Sequence, residues 1–322
     1  MSAFTEKAKI GIKYYRNKLQ GRPLTVNLEV TKRCNATCDF CDYWKTKQEN
    51  TIKDYGPIIK KIDPMMVTIT GGEPMLRTDL VDIIKGIRKE VPVVFLAMIT
   101  NGSLMTYEKA KKLYEAGLNQ IAFSVDYLDD RHDTSRGIPN LWNHLSTLIP
   151  TLTDIGFESV QMNWIVMEEN FDQTLKAAEL CKSWGINISY TSYSDLKNMN
   201  DSHFLSSQNM NTLPQVIDDL KSFKRKNKTI RSSDYYLDRI PTFYGNHQIP
   251  GCPAGLKWIQ VTPEGWFKAC SELPPVVHWE DYDHKTSFKQ QDCTLCWYSC
   301  RGENQTPIDF QRAKELANLP RL

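Results

Sequence analysis

Eight of the nine cysteines in this 322-residue chain fall into two groups: Cys34, Cys38 and Cys41, then Cys252, Cys270, Cys293, Cys296 and Cys300. An odd count without an export signal argues against a disulfide framework, because the cytosol keeps thiols reduced, and points to metal. In Cys34-Asn-Ala-Thr-Cys38-Asp-Phe-Cys41 three thiolates lie within eight residues, directly after a predicted strand. They could reach three corners of a cubane iron-sulfur cluster and leave the fourth iron open to another molecule. The same spacing suits a zinc site that borrows a distant fourth ligand. Cys181 stands apart, one turn from Trp184 in a helical stretch with Phe171 and Leu175, and reads as a buried structural thiol.

Periodicity gives the elements that must position these groups. Phe4, Ala8, Ile12, Tyr15 and Leu19 share one helical face, which Gly21 to Pro23 ends. Strands are predicted at Thr25 to Val30, Met66 to Thr70, Val93 to Ile99, Gln120 to Val125, Ser159 to Val166 and Ile186 to Tyr193. Between them lie helical faces such as Leu76, Leu80, Ile83, Ile84 and Ile87, or Leu141, Leu145, Leu148, Leu152 and Ile155. Six successive strand-helix units predict an α/β fold with a parallel sheet and right-handed connections. That is two units short of a closed barrel, so a partial, open (β/α)6 TIM barrel is expected. Ligands gather at the carboxyl ends of such strands, where Cys34, Gly71 to Pro74, Asn101, Asp126 and Asn163 fall.

After Tyr193 the rhythm fails. Residues 194–250 are polar around one helix with the face Leu213, Val216, Ile217, Leu220 and Phe223. Pro250 and Gly251 then open a cysteine-bearing module with a hairpin, Trp258 to Val261 and Trp266 to Cys270 about a Thr262-Pro263-Glu264-Gly265 turn. The expected division is an N-terminal helix (1–21), a barrel (22–200), a connecting segment (201–250) and an auxiliary module with a tail (251–322).

Composition excludes several classes. The chain is 41% hydrophobic and 24% charged, with a mean hydropathy of −0.46, which rules out extended disorder and a multi-span membrane protein. Its longest apolar run, Val93 to Ile99, is seven residues, far short of the ~20 that span a bilayer. No signal-peptide core is present, so a cytoplasmic location is expected. Forty basic against 38 acidic residues leave +2, too balanced for a dedicated nucleic-acid binder. The one basic cluster, Lys221, Lys224, Arg225, Lys226 and Lys228, ends a predicted helix, where cations suit the dipole.

The first group resembles the signature of the radical S-adenosylmethionine (SAM) superfamily, C-x3-C-x-Φ-C with an aromatic at Φ, matched by Cys34, Cys38, Phe40 and Cys41. Thr70-Gly71-Gly72-Glu73-Pro74 resembles the glycine-rich turn that this family carries after its second strand. The resemblance implies a [4Fe-4S] cluster whose unique iron is chelated by SAM, with backbone carbonyls of the Gly71-Gly72-Glu73-Pro74 turn receiving the SAM ammonium. Gly72→Val should then weaken SAM binding, by blocking that approach and resisting positive φ, and leave iron in place. By the same resemblance Asn101, Ser124, Asp126 and Asn163 fall where SAM contacts lie, and Arg136 resembles a family arginine used for the carboxylate. Asn101 and Asp126 also suit a turn residue and a helix cap.

The second group resembles the twitch or SPASM auxiliary-cluster modules. Cys252, Gly265 and Cys270 give C-x12-G-x4-C, and Cys293-x2-Cys296 follows after a gap. One auxiliary [4Fe-4S] cluster is implied, with Cys252, Cys270, Cys293 and Cys296 the first choice and Cys300 the spare. A zinc ribbon, and with it a zinc-binding scaffold or adaptor, is the competing reading. The family resemblance implies reductive cleavage of SAM to a 5′-deoxyadenosyl radical that abstracts hydrogen from carbon, in an oxidation or rearrangement. It implies a reductase, ferredoxin or flavodoxin as electron donor. No catalytic base is assigned. Only about 21 residues precede the barrel, which favours a small-molecule substrate over a ribosomally made peptide. Phe204, Tyr235, Tyr236, Phe243 and Tyr244 could line a pocket for a lipid-like, aromatic or tetrapyrrole substrate, or simply pack. His203, His247, His278 and His284 are candidate extra contacts, each better read as a surface or core residue.

Overall fold

The computed structural model describes residues 3–47, 49–307 and 312. All six strands of the repeating pattern are present, displaced by a residue or two at their ends: β1 (Thr25–Thr31), β2 (Met66–Gly71), β3 (Phe95–Thr100), β4 (Gln120–Ser124), β5 (Ser159–Val166) and β6 (Asn187–Ser192). Each pairs in parallel with the next. The helices are α1 (Ala3–Gln20), α2 (Gly56–Ile62), α3 (Leu80–Glu90), α4 (Tyr107–Glu115), α5 (Arg131–Arg136), α6 (Leu141–Thr151), α7 (Thr174–Ser183), α8 (Ser207–Asn227), α9 (Asp234–Leu237), α10 (Ile240–Asn246) and α11 (Ser299–Gln305). Val26, Leu28 and Val30 of β1, Val67 and Ile69 of β2, and Leu96 and Met98 of β3 join Ile58, Ile83, Ile84 and Ile87 of the helices in one buried core. Side chains alternate along a strand, so Asn27, Glu29 and Thr31 point to the opposite, inner face. This is the open α/β barrel expected from the pattern.

The C-terminal hairpin is not a separate body. Its strands β7 (Trp258–Val261) and β8 (Trp266–Lys268) are followed by β9 (Pro275–His278), and β7 pairs in parallel with the free edge of β1, giving one sheet in the order β6-β5-β4-β3-β2-β1-β7-β8-β9. The β7–β8 and β8–β9 pairs are antiparallel. The sequence pattern did not reveal β9, because it is four residues long and opens on a proline.

One expectation needs correction. The apolar stripe of α1 does not pack: Ile12, Tyr15 and Leu19 are exposed, while Lys13 and Asn17 are buried. Lys13 Nζ reaches Asp63 Oδ1 at 2.8 Å and the Val93 carbonyl at 2.6 Å, and Asn17 Nδ2 donates to the Asp63 carbonyl at 2.6 Å. The helix therefore docks through its polar face, which satisfies carbonyls at the amino ends of the strands. Side chains of Phe4 and Ala8 lie outside the described set. The aromatics of the 194–250 segment, for their part, fill the space between β6, α8 and the module. Tyr236 stacks on Trp297 at 5.5 Å and donates to its carbonyl at 2.9 Å, Phe243 is buried, and the Tyr244 hydroxyl bonds Val166 and the Tyr193 amide. Phe204 and Tyr235 pack half-buried against the same core. Two short helices, α9 and α10, join the expected α8 there.

Cys181 is fully buried, with its Sγ 3.7 Å from Met162 Sδ, as a core thiol should be. Lys221 and Lys224 of the basic cluster pair with Asp238 and Asp234. No described helix is long and apolar enough to cross a membrane.

Candidate functional site

The loop after β1 carries Cys34, Cys38 and Cys41 at the carboxyl end of the sheet and is held from several sides. The Thr37 amide donates to the Arg136 carbonyl at 2.8 Å, and Trp44 Nε1 bonds the carbonyls of Cys38 and Cys41 at 3.2 and 2.8 Å. Asn101 Nδ2 donates to Asn35 Oδ1 at 2.9 Å, and the Ala36 amide points at Cys34 Sγ from 3.5 Å. The three thiols lie within electrostatic reach of one another, and burial pushes Cys34 up and Cys38 up to about 12. Thiols so placed stay protonated alone and ionise on binding metal. Three sulfurs on one short loop at the carboxyl end of the sheet, one with an N–H aimed at it, suit an iron-sulfur cluster.

The glycine turn after β2 is packed onto this loop. Gly71 has φ +134°, and a Cβ on it would sit 2.0 Å from the Thr31 carbonyl oxygen. The positive φ expected at Gly72 belongs to Gly71. Gly72 is required instead by contact, because its Cβ would lie 2.1 Å from the Arg33 carbonyl oxygen, one residue before Cys34. Gly72→Val should therefore displace the cysteine loop and lose iron as well as SAM affinity, which iron analysis of the anaerobically purified variant checks. Pro74 is buried at the start of a short 3-10 turn, and Glu73 is its N-cap. The Glu73 carboxylate, 1% exposed, accepts from the Met75 amide at 3.0 Å, the Thr100 hydroxyl at 2.7 Å and the Asn101 amide at 2.7 Å. It ties the turn to the end of β3.

Asp126 and Arg136 are each other's partners: Arg136 Nε and Nη2 donate to Asp126 Oδ2 and Oδ1 at 2.6 and 2.8 Å, both residues buried. The guanidinium lies 5.4 Å from the Phe40 ring and near Cys38. Asn101 makes the turn contacts of its bland reading, accepting from the Ser103 amide at 2.9 Å. Ser124 and Asn163 stand side by side across β4 and β5 at the carboxyl end of the sheet.

Beside this pair, His132 is fully buried and its Nδ1 accepts from the Asp126 amide at 3.2 Å, which requires a neutral ring. Burial holds its pKa at about 4 against an ordinary 6.5. Protonation therefore favours the unfolded chain. Stability should be complete above pH 6.5 and decline towards pH 4, by roughly 3 kcal/mol from this residue. Urea unfolding at pH 7 and pH 4.5 should show a shallower decline in His132→Gln.

All five C-terminal cysteines border one cavity of about 150 Å³, together with Arg301, Asn27 and Trp258. Backbone N–H groups of Ala254, of Glu272 and Leu273, of Tyr298 and of Arg301 lie near Cys252, Cys270, Cys296 and Cys300 respectively and favour their thiolate forms. Burial pushes these four up, Cys296 to about 12. Arg301, fully buried, donates to the Cys296 carbonyl at 2.6 Å. None of His203, His247, His278 and His284 borders the cavity. His203 sits between Asp39 and Glu169, at 3.2 and 2.9 Å. Among the described residues no three His, Cys, Asp or Glu side chains converge on a single-ion position.

Sequence reasoning passed over Glu29, Tyr43, Gln260 and Trp258, which line the inner face between the two cysteine groups. The signal was available in β1: a central strand of an α/β sheet reads as a near-continuous apolar run, and Asn27 and Glu29 interrupt it.

The Radical SAM superfamily pattern matches residues 28–209, more than half of the chain, and the chain belongs to that superfamily. Its members bind a [4Fe-4S] cluster and SAM and need a reductant. Among curated proteins it resembles GTP 3′,8-cyclase of Aquifex aeolicus, 33% identical over 198 residues that make up 57% of this chain and 61% of that one. A probable GTP 3′,8-cyclase of Saccharolobus solfataricus is 31% identical over 176 residues, 52% of this chain and 56% of that protein. The chain thus matches about three-fifths of the length of these relatives. Streptococcus suis SuiB shares the fold, with a TM-score of 0.67 at 14% identity over 86% of this chain and 69% of that one.

Proposed function

We propose that this radical SAM enzyme acts on a small molecule and carries, besides the cluster at Cys34, Cys38 and Cys41, one auxiliary [4Fe-4S] cluster in the C-terminal cavity. The observation that carries the proposal is the shared strand: the first cysteine loop leaves the carboxyl end of β1, and the five-cysteine cavity reaches the inner face of β1 at Asn27. When bound, the cluster and SAM supply a 5′-deoxyadenosyl radical able to take hydrogen from carbon. The chain's task is to hold the target carbon in register and keep water out. Gly71, Gly72 and Pro74 would offer backbone to the SAM amino acid, and Ser124 and Asn163 the polar wall beside it. With Arg136 committed to Asp126, that pair would brace Phe40 and the Cys38 side of the loop. The relatives named for a reaction on GTP support a small-molecule substrate over a peptide. Nine free thiols suit a cytoplasmic setting with a ferredoxin, flavodoxin or reductase as donor.

For the auxiliary site Cys252, Cys270, Cys293 and Cys296 are the proposed ligands, the set that the C-x12-G-x4-C and Cys293-x2-Cys296 spacing implies, with Cys300 beside them in the same cavity as the spare. The test is anaerobic reconstitution with iron and sulfide. Brown protein absorbing at about 400 nm, with eight irons per chain and 5′-deoxyadenosine formed on reduction, is expected from two cubanes of about four irons each. Colourless protein holding zinc would sink the proposal.

A further inference from the structure

The inner face of the sheet holds polar atoms with nothing to bond. Glu29 is 2% exposed and its Oε2 has no partner; Gln260 is 2% exposed and its Nε2 has none; Trp258 Nε1, at 3%, is a third. The three lie together, because Thr25 pairs with Trp258 and Asn27 with Gln260 across β1 and β7, and Glu29 is the next inward residue of β1. Each buried polar atom without a partner costs about 1–3 kcal/mol. Three on one patch mark a place built for a polar occupant rather than a flaw in packing. The patch also links the two cysteine groups. The other oxygen of Glu29 takes the hydroxyl of Tyr43, two residues past Cys41, while Trp258 and Asn27 border the five-cysteine cavity. Cations stand near as well: Lys268 and Lys197 act on the Glu29 carboxylate, while Lys197 Nζ lies 3.4 Å from Glu272 and Lys268 Nζ donates to the Ser271 carbonyl at 2.7 Å.

We infer that Glu29 and Gln260 recognise the substrate, and that it is a polar molecule offering an N–H or O–H donor to Glu29 Oε2 and an acceptor to Gln260 Nε2. Hydrogen-bond pattern, not apolar area, then selects the substrate. The inference rests on the radical SAM reading of the barrel given above. It sets aside the lipid-like and tetrapyrrole classes, whose expected aromatic lining is packed away in the core.

The test uses crystals of the anaerobically prepared holoenzyme with SAM, soaked in acetamide, a probe with one donor and one acceptor face. Acetamide is expected between Glu29 and Gln260, with its N–H on the carboxylate. Glu29→Gln keeps the size of the side chain and removes the carboxylate that should receive the probe's N–H, so acetamide should be absent from the patch in crystals of that variant. Acetamide absent from this patch in the wild-type holoenzyme, or bound there unchanged in the variant, overturns the assignment. Density for SAM in the same crystals reports separately on the reading of the barrel, so the two can fail independently.

Discussion

Replacing Cys34, Cys38 and Cys41 together with alanine should abolish 5′-deoxyadenosine formation and remove roughly half of the iron, if each cysteine group holds one cubane. The fold should survive the change. The loop is anchored by contacts that do not involve sulfur, such as Thr37 to Arg136 and Asn101 to Asn35, and the barrel buries its own core. Removing Cys34 and Cys38, whose thiols burial holds protonated, costs little before metal arrives. A variant still producing 5′-deoxyadenosine would place the chemistry elsewhere.

Single alanine changes among the C-terminal cysteines should divide sharply. Cys252→Ala, Cys270→Ala, Cys293→Ala and Cys296→Ala should each lose the second iron-sulfur signal and lower Tm together, because metal binding and folding are coupled in small modules. Cys300→Ala should keep both. The spacing of the first four cysteines is what sets Cys300 apart. Mössbauer or EPR spectra of the five variants decide the matter, and loss of the signal in Cys300→Ala with its retention in Cys293→Ala would make Cys300 the fourth ligand.

The sequence disclosed the parts whose meaning is local. Three cysteines within eight residues, two adjacent glycines after a strand and the alternation of strand and helix faces are all short-range patterns, and each element stands where they place it. What stayed hidden depends on partners far along the chain. Asp126 and Arg136 look like two separate ligand candidates until α5 brings the guanidinium onto the carboxylate. The Ile12, Tyr15 and Leu19 stripe suggests a packed face, yet Asp63 and the Val93 carbonyl draw the opposite side of α1 inward. Spacing sets Cys300 aside, yet the folded chain brings it to the same cavity as the other four C-terminal cysteines.

The pairing of β7 with β1 has a practical consequence for anyone dissecting the chain. A fragment ending before residue 250 would not simply lack an appendage; it would lay bare the N–H and C=O row of β1, a central strand turned into an open edge beside a buried apolar face. Such edges recruit strands from other molecules. Aggregation of the truncated barrel would then reflect a missing neighbour, not a missing cofactor, and the separate duties of the two cysteine groups are better read from point variants of the whole chain.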